Sequence, residues 1–139
     1  MLRQCEPKRD FKGMRKLAAP FKYRIENLAL RTFDLVYSAG LYDYIRTFEN
    51  KEKGATALTR NLFQLLKPGG TLLIGNFSPK NPLDLRFSME LLYDWILIYR
   101  DEKEMYGLAD GITEGEIAEV TLLEEPLGIN YFLKIVKRI

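Results

Sequence analysis

Two apolar runs, FDLVYSAG over residues 33–40 and LKPGGTLLIGNF over residues 66–77, bracket a single amphipathic stretch, and this arrangement leaves few folds open. In the first run Leu35, Val36 and Tyr37 are consecutive and bulky, as in a strand whose two faces are both covered by helices. Gly40 marks its end. Between residues 51 and 66, Ala55, Leu58, Leu62 and Leu65 recur at intervals of three and four, the stripe of an amphipathic helix. The sequence KPGG then closes that helix, because Pro68 cannot continue the hydrogen-bond ladder and Gly69 and Gly70 permit a reversal. TLLIGNF follows as a second buried strand. Strand, helix and strand in this order predict a right-handed parallel crossover and an α/β fold class.

The remainder of the chain extends this frame. A helix is predicted over residues 83–99, with Leu85, Met89, Leu92, Ile96 and Tyr99 on one face. Phe87, Leu91, Trp95 and Ile98 broaden that face, so the surface is expected to be largely buried, Trp95 and Tyr99 in the core. Asp101 with Glu104 predicts the capped start of a short helix over residues 102–109, and Thr113 with Glu116 a further start. AEVTLLEE and NYFLKIVKR read as two strands joined through Pro126, Leu127 and Gly128, a connection short enough for antiparallel pairing. Upstream, FKYRIENL over residues 21–28 alternates as a strand with one wet face. The expected sheet is mostly parallel and finishes with an antiparallel C-terminal hairpin.

With 139 residues, 47% of them apolar, the chain suits one packed core. Net charge is only +2, but Arg3, Lys8, Arg9, Lys12, Arg15, Lys16, Lys22 and Arg24 face only Glu6 and Asp10. A basic leader over 1–19, solvated and disordered, is therefore expected before a globular unit over 20–139. Interleaved aromatics, a recognition helix and zinc spacing are missing from the leader, so no nucleic-acid partner is expected. A single cysteine, Cys5, and the absence of histidine exclude an internal disulfide, the usual zinc sites, and Ser-His or Cys-His nucleophiles, so no metal is expected. No apolar run approaches the roughly 20 residues of a membrane span, and no apolar stretch follows the basic start. These features predict a soluble protein of the reducing cytoplasm with no membrane partner.

FDLVYSAGLYDYI, LKPGGTLLIGNF, MELLYDWILIYRDEKEMYGLA and EEPLGINYFLKIVKR together resemble the C-terminal half of a class I S-adenosylmethionine-dependent methyltransferase. They are more narrowly similar to the bacterial group named for extracellular-factor 3-hydroxypalmitic acid methyl ester biosynthesis. The resemblance implies a partial Rossmann-like sheet in which FDLVYSA is the fourth strand, TLLIGNF the fifth, and the hairpin the sixth and seventh. It further implies S-adenosylmethionine as cofactor and methyl transfer to a small-molecule acceptor such as a fatty-acyl carboxylate. The family's upstream glycine-rich turn and ribose-binding acid have no counterpart in this sequence, which leaves enzymatic activity open. The alternative is a truncated, noncatalytic module that dimerises, or completes another chain, through an exposed sheet edge.

Ligands of open α/β sheets sit beyond the carboxyl ends of the strands, and by resemblance Ser38, Ala39, Gly40 and Leu41 lie beside the cofactor. Ser-Ala-Gly is equally an ordinary way to end a strand. Tyr42, Asp43 and Tyr44 follow, suited to shaping an acceptor pocket, with Asp43 alternatively the cap of a following helix. Asn76, at the end of the fifth strand, is placed to orient the acceptor or simply to make a turn. Arg100 could draw a carboxylate, or could complement a helix dipole. No residue is identified as a catalytic base, and a carboxylate acceptor requires none.

Overall fold

The computed structural model describes residues 33–139; the expected basic leader over 1–19 and strand over 21–28 lie outside them. Strand β1 (Phe33–Ser38) leads through a 3-10 turn at Tyr42–Tyr44 to helix α1 (Gly54–Gln64) and strand β2 (Leu66–Phe77). A short helix α2 (Leu83–Phe87) continues into a π-helical turn at Ser88–Leu92, and helix α3 (Glu102–Gly107) into a 3-10 turn at Leu108–Gly111. Strands β3 (Ile117–Glu124) and β4 (Asn130–Lys137) close the described chain.

The sheet order is β1-β2-β4-β3. Strands β1 and β2 are parallel, whereas β4 runs antiparallel to both β2 and β3. The expectation of a mostly parallel sheet is thus incorrect: only one neighbouring pair is parallel. The reason is topological, since β4 inserts between β2 and β3 and one reversed strand makes two antiparallel interfaces. The crossover and the hairpin otherwise match the order of apolar runs in the sequence.

One face of the sheet forms the core. Leu72, Ile74, Leu133 and Ile135 are fully buried there, each contributing on the order of 2 kcal/mol. Ala55, Leu62 and Phe63 of α1 pack against them, as do Met105, Leu108 and Ile112. The KPGG segment is not a clean turn before the strand. Phe33 lies opposite Leu66 and Leu35 opposite Thr71, so the four residues between loop out of register. A β-carbon at Gly70 would stand 3.0 to 3.2 Å from the carbonyl oxygens of Lys67, Phe33 and Asp34, which explains the glycine at this crossing.

Two burial expectations fail. In β1, Val36 packs on the core, but Leu35 and Tyr37 are 56% and 72% exposed. An apolar run on both faces encodes a strand with two covers, and the described residues supply one. The predicted helix over 83–99 ends at Leu92, and Asp94 adopts a left-handed φ of 49° before a run without regular secondary structure. Most of its apolar surface is open, with Leu83 80% exposed and Phe87, Leu91 and Tyr93 also exposed. Trp95 is likewise exposed rather than in the core. Periodicity marks a face able to be buried; no described element packs over this one.

Candidate functional site

The carboxyl end of β1 turns through Ser38, Ala39, Gly40 and Leu41 into the Tyr42–Tyr44 turn. Gly40 has φ 77°, a conformation glycine adopts without steric cost. A β-carbon there would meet nothing nearer than Asp43 Oδ2 at 4.0 Å, so the site is open rather than crowded. The Ser38 hydroxyl is buried and makes no hydrogen bond among the described residues.

Beneath this turn lies a polar lattice built by Arg100, only 2% exposed. Its Nη1 donates to the Tyr42 carbonyl at 2.7 Å and to Asn76 Oδ1. Its Nη2 donates to the Ile45 carbonyl and, at 3.4 Å, to Thr47 Oγ1. Asn76 Nδ2 in turn donates to the carbonyls of Phe77 and Ile98, each at 2.9 Å. Backbone bonds complete the stitching: Phe77 N–H reaches Asp43 Oδ1 at 2.8 Å and Ile98 N–H reaches the Asp43 carbonyl at 2.8 Å. Three chain segments, residues 42–47, the end of β2 and residues 98–100, are fixed to one another in this way.

Burial dominates the electrostatics. It raises the Asp43 carboxyl above its ordinary range, opposed by the Phe77 N–H and the Arg100 charge. It also lowers Arg100, opposed by the charges of Glu104, Asp43 and Tyr42. The Tyr42 hydroxyl is pushed far up by burial and shares a 3.0 Å hydrogen bond with Thr59, which itself donates to the Ala55 carbonyl. Tyr42, Asp43, Asn76 and Arg100 are therefore one buried unit, with Arg100 directed at carbonyl oxygens. Asp43 caps no helix, Asn76 lies inside β2, and Arg100 follows irregular chain rather than a helix end.

Tyr44 points the other way. Its hydroxyl accepts from Trp95 Nε1, and the two rings are 44% and 45% exposed. Sequence reasoning missed this pairing because it placed Trp95 in a helix facing the core. Beside the lattice, Arg46, Thr47, Ile98, Arg100 and Glu104 line a shallow groove of about 310 Å³. Its arginine and threonine donors suit an anionic or carbonyl-bearing group.

No protein-family model and no curated protein matches the sequence. Solved structures do. The chain is similar to a Bordetella parapertussis protein named as a "possible exported protein", at TM-score 0.61 and 20% identity, covering 83% of this chain and 42% of that one. It is also similar to a SAM-dependent methyltransferase from Thermotoga maritima, at TM-score 0.52 and 14% identity, covering 88% of this chain and 69% of that one. The chain thus spans about two fifths of the length of the first of these structures. At such identities the likeness is one of fold alone, an α/β fold shared with the Thermotoga maritima methyltransferase.

Proposed function

We propose that the chain is the C-terminal part of an S-adenosylmethionine-dependent methyltransferase that modifies a small molecule in the cytoplasm. The observation that carries this reading is the Ser38–Leu41 turn, where a buried hydroxyl without a partner among the described residues stands beside an open glycine at the carboxyl end of β1. Ser38, Ala39, Gly40 and Leu41 would hold the cofactor there, a fit supported by that orphaned hydroxyl and by the space over Gly40. On this reading the described residues would form one wall of the cofactor site; the sequence contains no glycine-rich first turn of the family's kind.

When bound, the cofactor would supply an electrophilic methyl on a sulfonium sulfur, suited to transfer to an acceptor lone pair. The chain's own part is to orient and to exclude water. Tyr42 and Asp43 fix the floor of the turn, Asn76 and Arg100 hold that floor to β2, and Tyr44 faces the acceptor side. Asp43 is tied to a backbone N–H, so the residues favour an acceptor that needs no base. A fatty-acyl carboxylate, the acceptor class of the group named for 3-hydroxypalmitic acid methyl ester biosynthesis, meets that requirement.

Isothermal calorimetry of the full chain with S-adenosylhomocysteine tests the reading. Saturable heat is expected, and Ser38→Ala should weaken binding about fivefold, the loss of one hydrogen bond of about 1 kcal/mol. No heat at millimolar ligand from folded protein would sink it. A second reading, a noncatalytic module that pairs through the sheet edge, is favoured by one observation, the exposure of Leu35 and Tyr37 on β1.

A further inference from the structure

The segment from Leu83 to Ile96 is fixed at both ends and leaves most of its apolar side chains exposed between them. At its entry, Asn81 Nδ2 donates to the carbonyls of Ser78 and Ile129 at 3.0 and 2.9 Å, and Ser78 N–H bonds Ile129 at 2.8 Å, pinning the chain to the β3–β4 turn. At its exit, Ile98 and Arg100 are bonded to Asp43 and Phe77. Within α2 and the π-helical turn, Met89 alone is buried. Arg86 stacks on Tyr99 at 4.2 Å. At Asp94 the left-handed backbone reverses the chain, and Trp95 N–H then reaches back to the Met89 carbonyl at 2.9 Å.

We infer that residues 83–96 form a hinged apolar flap over the Ser38–Tyr44 turn, and that the hydrogen bond from Trp95 to Tyr44 is its latch. Tyr44 belongs to the turn and Trp95 to the flap, so this contact couples the flap's position to the proposed cofactor site. A helix with few packed contacts opens at low cost. Closure against a bound ligand would cover Tyr44, Trp95 and the flap's apolar residues together, removing from water a surface that a soluble domain seldom leaves open. Tyr44 and Trp95 are on this account positioning residues. The ligand-coupled part of the inference rests on the proposed function; the flap and its latch do not.

Trp95 is the only tryptophan in the chain, so its fluorescence reports on the latch without interference. Acrylamide quenching is measured for the full-length wild type and for Tyr44→Phe, each with and without S-adenosylhomocysteine, alongside amide hydrogen exchange. In the absence of ligand, Tyr44→Phe should raise the quenching constant about twofold with unchanged far-ultraviolet circular dichroism. Amides of residues 83–92 should exchange at least about 100-fold faster than those of β2 and β4. Ligand should lower the quenching constant in the wild type and much less in Tyr44→Phe. Equal quenching of the two unliganded proteins overturns the latch, and strand-like protection of residues 83–92 overturns the flap. Calorimetric binding that leaves Trp95 unaltered overturns the coupling, whereas no binding at all refutes the proposed function while the unliganded comparison still decides the flap.

Discussion

Asp43 is a buried carboxyl whose main-chain and side-chain atoms both bind the ends of other segments. Such a group has an inverted pH signature. Burial raises its folded-state value above the ordinary 3.8, so the folded protein binds this proton more tightly than the unfolded chain does. Its contribution to stability is therefore most favourable below 3.8 and declines as pH rises from there through the raised folded value. Subtracting the urea-unfolding free energy of Asp43→Asn from that of the wild type, pH by pH, should give a difference that falls across this window and is flat above it. A difference that rises with pH instead would mean that the Arg100 charge and the Phe77 N–H outweigh desolvation at this site.

At the scale of elements, the sequence is informative wherever a local rule coincides with the final environment. The stripe from Ala55 to Leu65 is α1, and Asp101 with Glu104 forms a complete capping box, each side chain bonding the other's backbone N–H. The hairpin at Gly128 follows its turn residues. The lattice around Arg100 was not legible, because it joins residues 24 to 58 positions apart and no periodicity records such a meeting. Helix α2 failed for a different reason: apolar spacing reports what a face could bury, and here the described chain packs little over it. A position that spacing alone also conceals is Gly54, which opens α1 with φ 66°. A β-carbon there would lie 2.2 Å from the Arg46 carbonyl oxygen and 2.6 Å from the Phe48 ring. Gly54→Ala should cost about 3 kcal/mol, combining left-handed strain with overpacking, measured as a lowered midpoint in denaturant with an unchanged slope. A loss below about 0.5 kcal/mol would show that the 46–54 connection rearranges freely.

For the molecule as a whole, the arrangement is lopsided. One sheet face is filled by α1, α3 and the following turn, while the other presents Leu35 and Tyr37 beside Leu73 and Phe132, and β1 has no strand along its outer side among the described residues. An exposed strand edge with apolar side chains is a template for another strand. Antiparallel pairing of β1 with a second copy, centred on Val36, would set Leu35 of each chain opposite Tyr37 of the other and keep all four on the same face. Light scattering coupled to size exclusion should then show a mass that rises from one chain toward two with concentration. Replacing both Leu35 and Tyr37 by Lys should restore a single chain at every concentration, because like charges would face each other across the pair. Val36→Ala, on the core face of β1, should lower stability without selectively removing association, which separates the edge from general misfolding. A wild type that stays one chain throughout the concentration range would show that its own residues protect β1, and the pairing would have to be abandoned.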